Sequence, residues 1–247
     1  MKSHWVRLGV VSICAMVLVG CNSIGILRGS GNVVRETRAV SGFVGVNICC
    51  GMHLVLRQAD DVSAEIEAND NFLPEIESVV VGDELRVQYG TSARFTMNRF
   101  ASQPVTVYVT MPTIDAVTVS GGGELTAEAL TADEIAFSLS GGSTGEVAAL
   151  AADRVAVELS GGSHLTLMGG EANQQSVETS GGSEYTAPDL ASIATDISLS
   201  GGSHARIWVQ ESLTAESSGG SELAYYGTPT VEQDTSGGSE INSLGDH

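Results

Sequence analysis

Ser120-Gly121-Gly122-Gly123 opens a series that continues as Ser-Gly-Gly-Ser at Ser140, Ser160, Ser180, Ser200, Ser218 and Ser236. The starts lie 20 residues apart four times and then 18 apart twice. A fixed period of this length marks a solenoid, in which each repeat is one turn of chain that buries its apolar side only by stacking on its neighbours.

The residues around each phrase select the secondary structure. Val117 and Val119, then Ile135, Phe137 and Leu139, Val155, Val157 and Leu159, and Ile197 and Leu199 share one parity, separated by Thr118, Ala136, Ser138, Glu158 and Ser198. This is the period-2 pattern of a half-buried strand, with no helical stripe. After the phrase the same alternation places Leu125, Leu165, Tyr185, Ala205, Leu223 and Ile241 inward. Each coil therefore reads as strand, Gly-Gly bend, strand and loop. Glycine suits the bend because it takes positive φ and lets successive backbones approach. Stacked serine hydroxyls are expected to form a hydrogen-bonded ladder; a catalytic serine would differ from its copies, and none does.

The first 21 residues read as an address. Lys2 and Arg7 precede an apolar run, Leu8 to Val19, which is too short to span a bilayer core of about 30 Å as a helix. Leu18-Val19-Gly20-Cys21 resembles a bacterial lipobox, which implies cleavage before Cys21 and lipidation of that cysteine. Asn22 behind it is consistent with delivery to the outer membrane. The chain then divides into a signal peptide (1–21), a linker (22–28), a β-rich N-terminal part with a degenerate coil (29–112) and the Ser-Gly-Gly-Ser solenoid (113–247).

Loss of the leader removes two of the 11 basic residues and none of the 30 acids, leaving a formal charge of −21. Beyond Pro112 stand 20 acids and only Arg154 and Arg206. Such a surface repels phosphate backbones, which excludes nucleic acid as a partner and favours solubility, divalent cations or basic partners. Hydrophobic residues make up 42% of the chain, enough for a core, and the bends account for most of the 30 glycines.

Cys49 and Cys50 are adjacent. A bridge between neighbours closes almost no loop, so no structural staple is expected there. Register offers a different account: Val46 to Leu54 aligns with Val157 to Leu165, so Cys49 and Met52 replace the two serines and Cys50 the first glycine of an early coil. Cys49, Cys50, Met52 and His53 also form a candidate redox or soft-metal set. Elsewhere in the N-terminal part, Val62, Ala64 and Ile66 alternate, and Asn71 to Ile76 reads as a short helical turn or loop. Val79-Val81, Leu85-Val87-Tyr89 and Val105-Val107-Val109 read as strands, with Gly82-Asp83 as a hairpin turn and Thr91 to Gln103 as a loop.

Gly29-Ser30-Gly31-Asn32-Val33-Val34, the Arg38 to Phe43 segment, Asn69 to Pro74 with Ile76-Glu77, and the recurrent Ser-Gly-Gly steps resemble the auto-transporter adhesin head, or GIN, domain family of bacterial lipoproteins. The resemblance runs from Gly29 to the C-terminus. It implies an all-β, right-handed parallel β-helix-like solenoid with ~20-residue coils, exported to the envelope, and implies no defined activity. The chain departs from the family's Ser-Gly-Ser-Gly-Asp step, because Glu124, Thr144, His164, Glu184, His204, Glu222 and Glu240 stand at the acidic place.

Those seven positions form one outward column at about 4.8 Å per coil. Within it His164, Glu184 and His204 are the candidate ligands for a divalent cation, although His164 and His204 lie two coils apart. Alternating acid and imidazole also relieves repulsion along the stack. The nine-residue calcium repeat of β-rolls, which needs Asp, does not fit. By parity, Met168, Pro188, Trp208 and Tyr226 form a second outward column, with Arg206 beside it, suited to stacking on sugars or docking a protein. A loop or the N-terminal region covering these residues is the plainer alternative. A polysaccharide lyase or hydrolase is the rival reading, but it requires a paired acid or base at defined separation, and neither a nucleophile elbow nor a zinc-protease His-Glu pair occurs. Beyond Leu244 only Gly245-Asp246-His247 remains to cap the last coil, which leaves end-to-end self-association open. The sequence thus reads as an outer-membrane lipoprotein that binds, adheres or scaffolds without catalysis or cofactor, with a glycan or envelope protein as partner.

Overall fold

A computed structural model describes residues 29–90 and 104–247. The expected leader (1–21) with its expected lipidation site Cys21, the expected linker (22–28) and the Thr91–Gln103 segment lie outside the described residues. The N-terminal part forms β1 (Val33–Thr37), β2 (Gly45–Cys49), β3 (His53–Gln58), β4 (Ser63–Asn69), a 3₁₀ turn at Leu73–Glu75, β5 (Ile76–Val81), β6 (Glu84–Tyr89) and β7 (Thr106–Met111). The repeat region forms β8 (Ala116–Ser120), β9 (Glu124–Ser140), β10 (Thr144–Ser160), β11 (His164–Leu167) and β12 (Gly170–Thr179). It continues through β13 (Glu184–Leu199), β14 (His204–Ser217), β15 (Glu222–Tyr226), β16 (Thr230–Thr235) and β17 (Glu240–Ser243).

The repeats stack in parallel, coil over coil, and the fold is a β-solenoid. Ser140 lies over Ser120, Glu124 beside Thr144, and Leu125 beside Gly145, in unbroken register across β8, β9 and β10. Each bend is stitched to the one before it: His164 N donates to Ser143 O at 2.9 Å, Glu184 N to Ser163 O at 2.9 Å and His204 N to Ser183 O at 2.9 Å. Gly161 shows why the first bend residue lacks a side chain. Its φ is +68, and a Cβ there would stand 3.1 Å from Gly141 N in the coil below.

The loop expected to close each coil is absent from the longest coils. β9 and β10 run unbroken for 17 residues each, and their alternation changes parity at two corners instead. In β9, Leu125 and Ala127 are buried, then Leu130, then Ile135, Phe137 and Leu139. Corners at Glu128 and Asp133, where pairing to the next coil skips a residue, give each coil three straight runs. A loop is unnecessary because a strand that turns a corner keeps its backbone groups paired to the coils above and below.

The serine phrase acts through the backbone. Ser163 Oγ donates to Ser160 O at 2.8 Å and Ser183 Oγ to Ser180 O at 2.8 Å, while Ser163 N–H donates to Ser183 Oγ at 3.3 Å. The expected hydroxyl-to-hydroxyl ladder is therefore replaced by side chain-to-backbone bonds: each second serine closes its own bend, and Ser183, Ser221 and Ser239 also accept from the serine N–H of the coil beneath.

The N-terminal part is the first coil of the same stack, elaborated. β2 pairs in parallel with β8, Cys49 over Ser120, and β3 pairs in parallel with β9, His53 beside Glu124. Cys50 (φ 70) and Gly51 (φ 73) repeat the conformation of Gly121 (φ 62) and Gly122 (φ 75), as the alignment of Val46–Leu54 with a later coil requires. β6 and β7 add to the outer sides of β2 and β3, β4 and β1 extend beyond β7 antiparallel, and β5 closes a hairpin on β6 through Gly82-Asp83. The core runs through both parts without a break, from Val46, Ile48 and Leu54 to Leu125, Phe137, Leu165, Tyr185, Ile207 and Leu223.

Where no structural staple is expected, Cys49 and Cys50 are joined by a disulfide. It closes a ring within the bend and ties no distant segments, so its place is local, in a turn already held at positive φ. The candidate soft-metal set does not converge. Met52 is fully buried in the core, whereas His53 lies on the outer face with Nε2 3.0 Å from Thr126 Oγ1.

Candidate functional site

The outward column after the bends is physical. His53, Glu124, Thr144, His164, Glu184, His204, Glu222 and Glu240 are successive register partners. Their side chains point out because the next residue of each strand, Leu125, Leu165, Tyr185, Ala205 or Leu223, is claimed by the core. His164 Nε2 lies 3.6 Å from Glu184 Oε2, one coil apart. Among the described residues no three His, Cys, Asp or Glu side chains gather closely enough to hold a metal ion.

Two positions along, Arg206 stands outward between Thr186 and Ala224 of the adjacent coils. Glu184, Thr186, His204, Arg206, Glu222 and Ala224 line a shallow groove of about 310 Å³. Arg154, the other arginine of the solenoid, pairs with Glu134. Among the described residues Arg206 has no ion pair, so its guanidinium faces the groove with its donors open.

The second column holds only in pieces. Trp208 and Tyr226 are register partners, but the partner of Trp208 in the preceding coil is Ala191. Pro188 belongs to a three-residue corner, Pro188-Asp189-Leu190, that has no counterpart between Ile207 and Trp208. One residue, Ile193, separates Ser192 from Ala194, where Gln210 and Glu211 separate Val209 from Ser212. Three residues lost at one corner and one gained at the next shorten the coil by two, which is why the repeat drops from 20 to 18. Met168, 47% exposed, sits at the corner that Pro188 occupies one coil on. The four residues thus split into a Met168–Pro188 corner and a Trp208–Tyr226 pair on the following run.

That aromatic pair is covered by His247, from the short segment that follows the last coil. The His247 ring stacks on Trp208, centroids 4.0 Å apart and planes 9° from parallel, and meets Tyr226 edge-on at 5.4 Å. His247 Nε2 lies 3.0 Å from Asp189 Oδ1 on the Pro188 corner. The chain is led there by Leu244 N donating to Tyr225 O at 2.8 Å and by Gly227 N donating to Gly245 O at 2.8 Å.

Inside the same coils lies a polar pair. The Tyr185 hydroxyl donates to Gln175 Oε1 at 2.6 Å, both side chains are fully buried, and burial drives the Tyr185 phenol far above its ordinary pKa. Gln175 Nε2 is buried without a partner. Neither group reaches solvent, so this pair belongs to the core and not to the outer face.

Solved structures share this fold. A protein of Bacteroides fragilis described as a putative adhesin matches with a TM-score of 0.75 at 17% identity, covering 88% of this chain and 100% of that one. A putative adhesin of Parabacteroides merdae matches with a TM-score of 0.67 at 17% identity over 88% of this chain and 98% of that one. A putative lipid binding protein of Parabacteroides distasonis matches with a TM-score of 0.67 at 14% identity over 87% and 98%. No curated protein matches the chain. The family model described as "Putative auto-transporter adhesin, head GIN domain" matches residues 42–229, from the coil that carries the disulfide to the last coils of the solenoid, and the chain belongs to that family.

Proposed function

We propose that this chain is an envelope-anchored recognition module, tethered through a lipid on Cys21 at the outer membrane, that binds a neutral glycan on the groove around Arg206 and performs no catalysis. The observation that carries the reading is the open guanidinium of Arg206, which shares its groove with the acceptors Glu184 and Glu222 of the two adjacent coils. Alternating donors and acceptors suit the hydroxyls of a sugar, with the guanidinium making the charge-assisted bonds. The surrounding charge decides the class of glycan. A solenoid with 20 acids against two arginines repels a polyanion, so an uncharged polymer is favoured over an acidic one.

The family name and the structural relatives described as adhesins support a binding role. The test is a glycan array probed with the parent chain and with Arg206→Ala, repeated in EDTA. Arg206→Ala should weaken retention of neutral glycans at least about tenfold, the loss of one charge-assisted hydrogen-bond set, and leave the melting temperature unchanged. EDTA should have no effect. Equal retention by the variant, or release of new reducing ends from the polymer, overturns the reading.

A further inference from the structure

The two ends of the solenoid treat their open sheet edges differently. A bare edge presents unpaired N–H and C=O groups to any other strand, and proteins usually guard it with charge. At the C-terminal end the guard is present. β16 carries Glu232 and Asp234 on its exposed side and β17 carries Glu240. Pairing β16 antiparallel with a copy of itself, centred on Gln233, would set Glu232 against Asp234.

At the N-terminal end β1, also open beyond β4 among the described residues, carries Arg35 and Glu36, but β5 has no such guard. Among the described residues β5 pairs with β6 alone, leaving its other edge open. Its sequence is Ile76-Glu77-Ser78-Val79-Val80-Val81, with a single charge, and Val79 and Val81 are 42% and 48% exposed. The chain has a formal charge of −19, so two copies repel over most of their surface. β5 is the stretch of edge where that repulsion is least and apolar contact greatest.

The register completes the argument. In an antiparallel pair, residues directly opposite share a face, so a copy of β5 can add to β5 without turning its core side outward only if matched positions have the same parity. Centring on Val79 meets this condition. It puts Val79 opposite Val79, Val81 opposite Glu77 and Ser78 opposite Val80, and no two acids meet. On the β6 side Val79 is flanked by Arg86 and Val81 by Glu84, which are paired with each other. A strand matched to itself about one residue generates a two-fold axis, the self-complementary interface of a symmetric dimer.

We propose that the open edge of β5 pairs with the same edge of a second copy, antiparallel about Val79, to form a two-fold dimer joined at the N-terminal end of the solenoid. The full chain in detergent should sediment as a dimer at about 50 µM protein, and Val79→Lys should raise the dissociation constant at least about 100-fold with no loss of thermal stability. Under mild oxidation Val79→Cys should give a dimer cross-linked at residue 79, identified by peptide mass, while Val81→Cys, which faces Glu77, should not. That pair of variants keeps the test decisive if Val79→Lys folds poorly. A parent chain that stays monomeric overturns the proposal, including one whose β5 amides are protected by its own chain. So does cross-linking by Val81→Cys as readily as by Val79→Cys. Neither outcome bears on Arg206, which lies many coils away.

Discussion

The imidazole of His247 lies flat on the indole of Trp208, with ring centroids 4.0 Å apart, and its Nε2 lies 3.0 Å from Asp189 Oδ1. The contact joins the end of the chain to the corner of a coil nearly sixty residues earlier. An aromatic pair of this kind adds about 0.5–1.5 kcal/mol beyond area burial, enough to close a chain end and too little to hold up the fold. His247→Ala, made in the chain from residue 22 onward where Trp208 is the one tryptophan, should therefore leave the melting temperature nearly unchanged while raising acrylamide quenching of Trp208. Unchanged quenching would show that the ring is not covered in solution.

The two serines of one bend should differ sharply. Ser183 is fully buried, donates to Ser180 O and accepts from Ser163 N–H, so Ser183→Ala strands a carbonyl and an amide and should cost roughly 1–3 kcal/mol. Ser180 is exposed, and Ser180→Ala should fall within about 0.5 kcal/mol of the parent. Urea denaturation of the two variants decides the matter; equal losses would remove these side chain-to-backbone bonds from the account of the bend.

Tyr185 and Gln175 give a non-additive pair. Tyr185→Phe leaves Gln175 with no partner on either side-chain atom and should cost about 1–3 kcal/mol. Adding Gln175→Leu should recover most of that loss, because an apolar pair of similar shape leaves nothing unsatisfied. The Tyr185 phenol is raised in the folded state, so its contribution is fully present below the ordinary tyrosine value of about 10 and is lost as pH climbs past it. The melting temperature should fall above about pH 10, less steeply in Tyr185→Phe. Tyr89, also raised by burial, adds to the same fall.

The bend at Cys49-Cys50 should accept the sequence of its neighbours. Cys50 holds a left-handed φ of 70, which costs a residue with a side chain roughly 1–2 kcal/mol. Cys49→Ser with Cys50→Gly removes that cost together with the bridge, and the double variant should be at least as stable as the parent under reducing conditions. Cys49→Ser with Cys50→Val should be less stable by at least about 1 kcal/mol. Failure of the Cys49→Ser, Cys50→Gly variant to fold would give the disulfide an architectural role.

Most of the solenoid was legible because inward residues of a strand must be apolar and stacked coils must keep step. Leu125, Leu165, Tyr185 and Leu223 could be placed inside and Glu184, His204 and Glu222 outside from parity alone. Parity fails where a strand turns a corner. Counting in twos from His204 carries Trp208 onto Pro188, but the corner at Pro188-Asp189-Leu190 resets the count, and Trp208 lands beside Ala191. Middle-run residues such as Leu130 were likewise hidden inside an expected loop. The contacts of His247 could not be placed, since it belongs to no repeat. The loop-closure argument against a structural staple at Cys49 and Cys50 describes long-range bridges and says nothing of a ring confined to one turn.

The shortening from 20 to 18 residues was absorbed wholly between the straight runs, so Ile207 still lies over Ala187 and Leu213 over Thr195. Corners in this scaffold are thus expansion joints, and the faces on either side are insulated from changes of length made there. A foreign peptide spliced between Pro188 and Asp189 would be displayed outward without disturbing the display of Glu184, His204 or Arg206, which makes the solenoid a natural frame for presenting grafted epitopes.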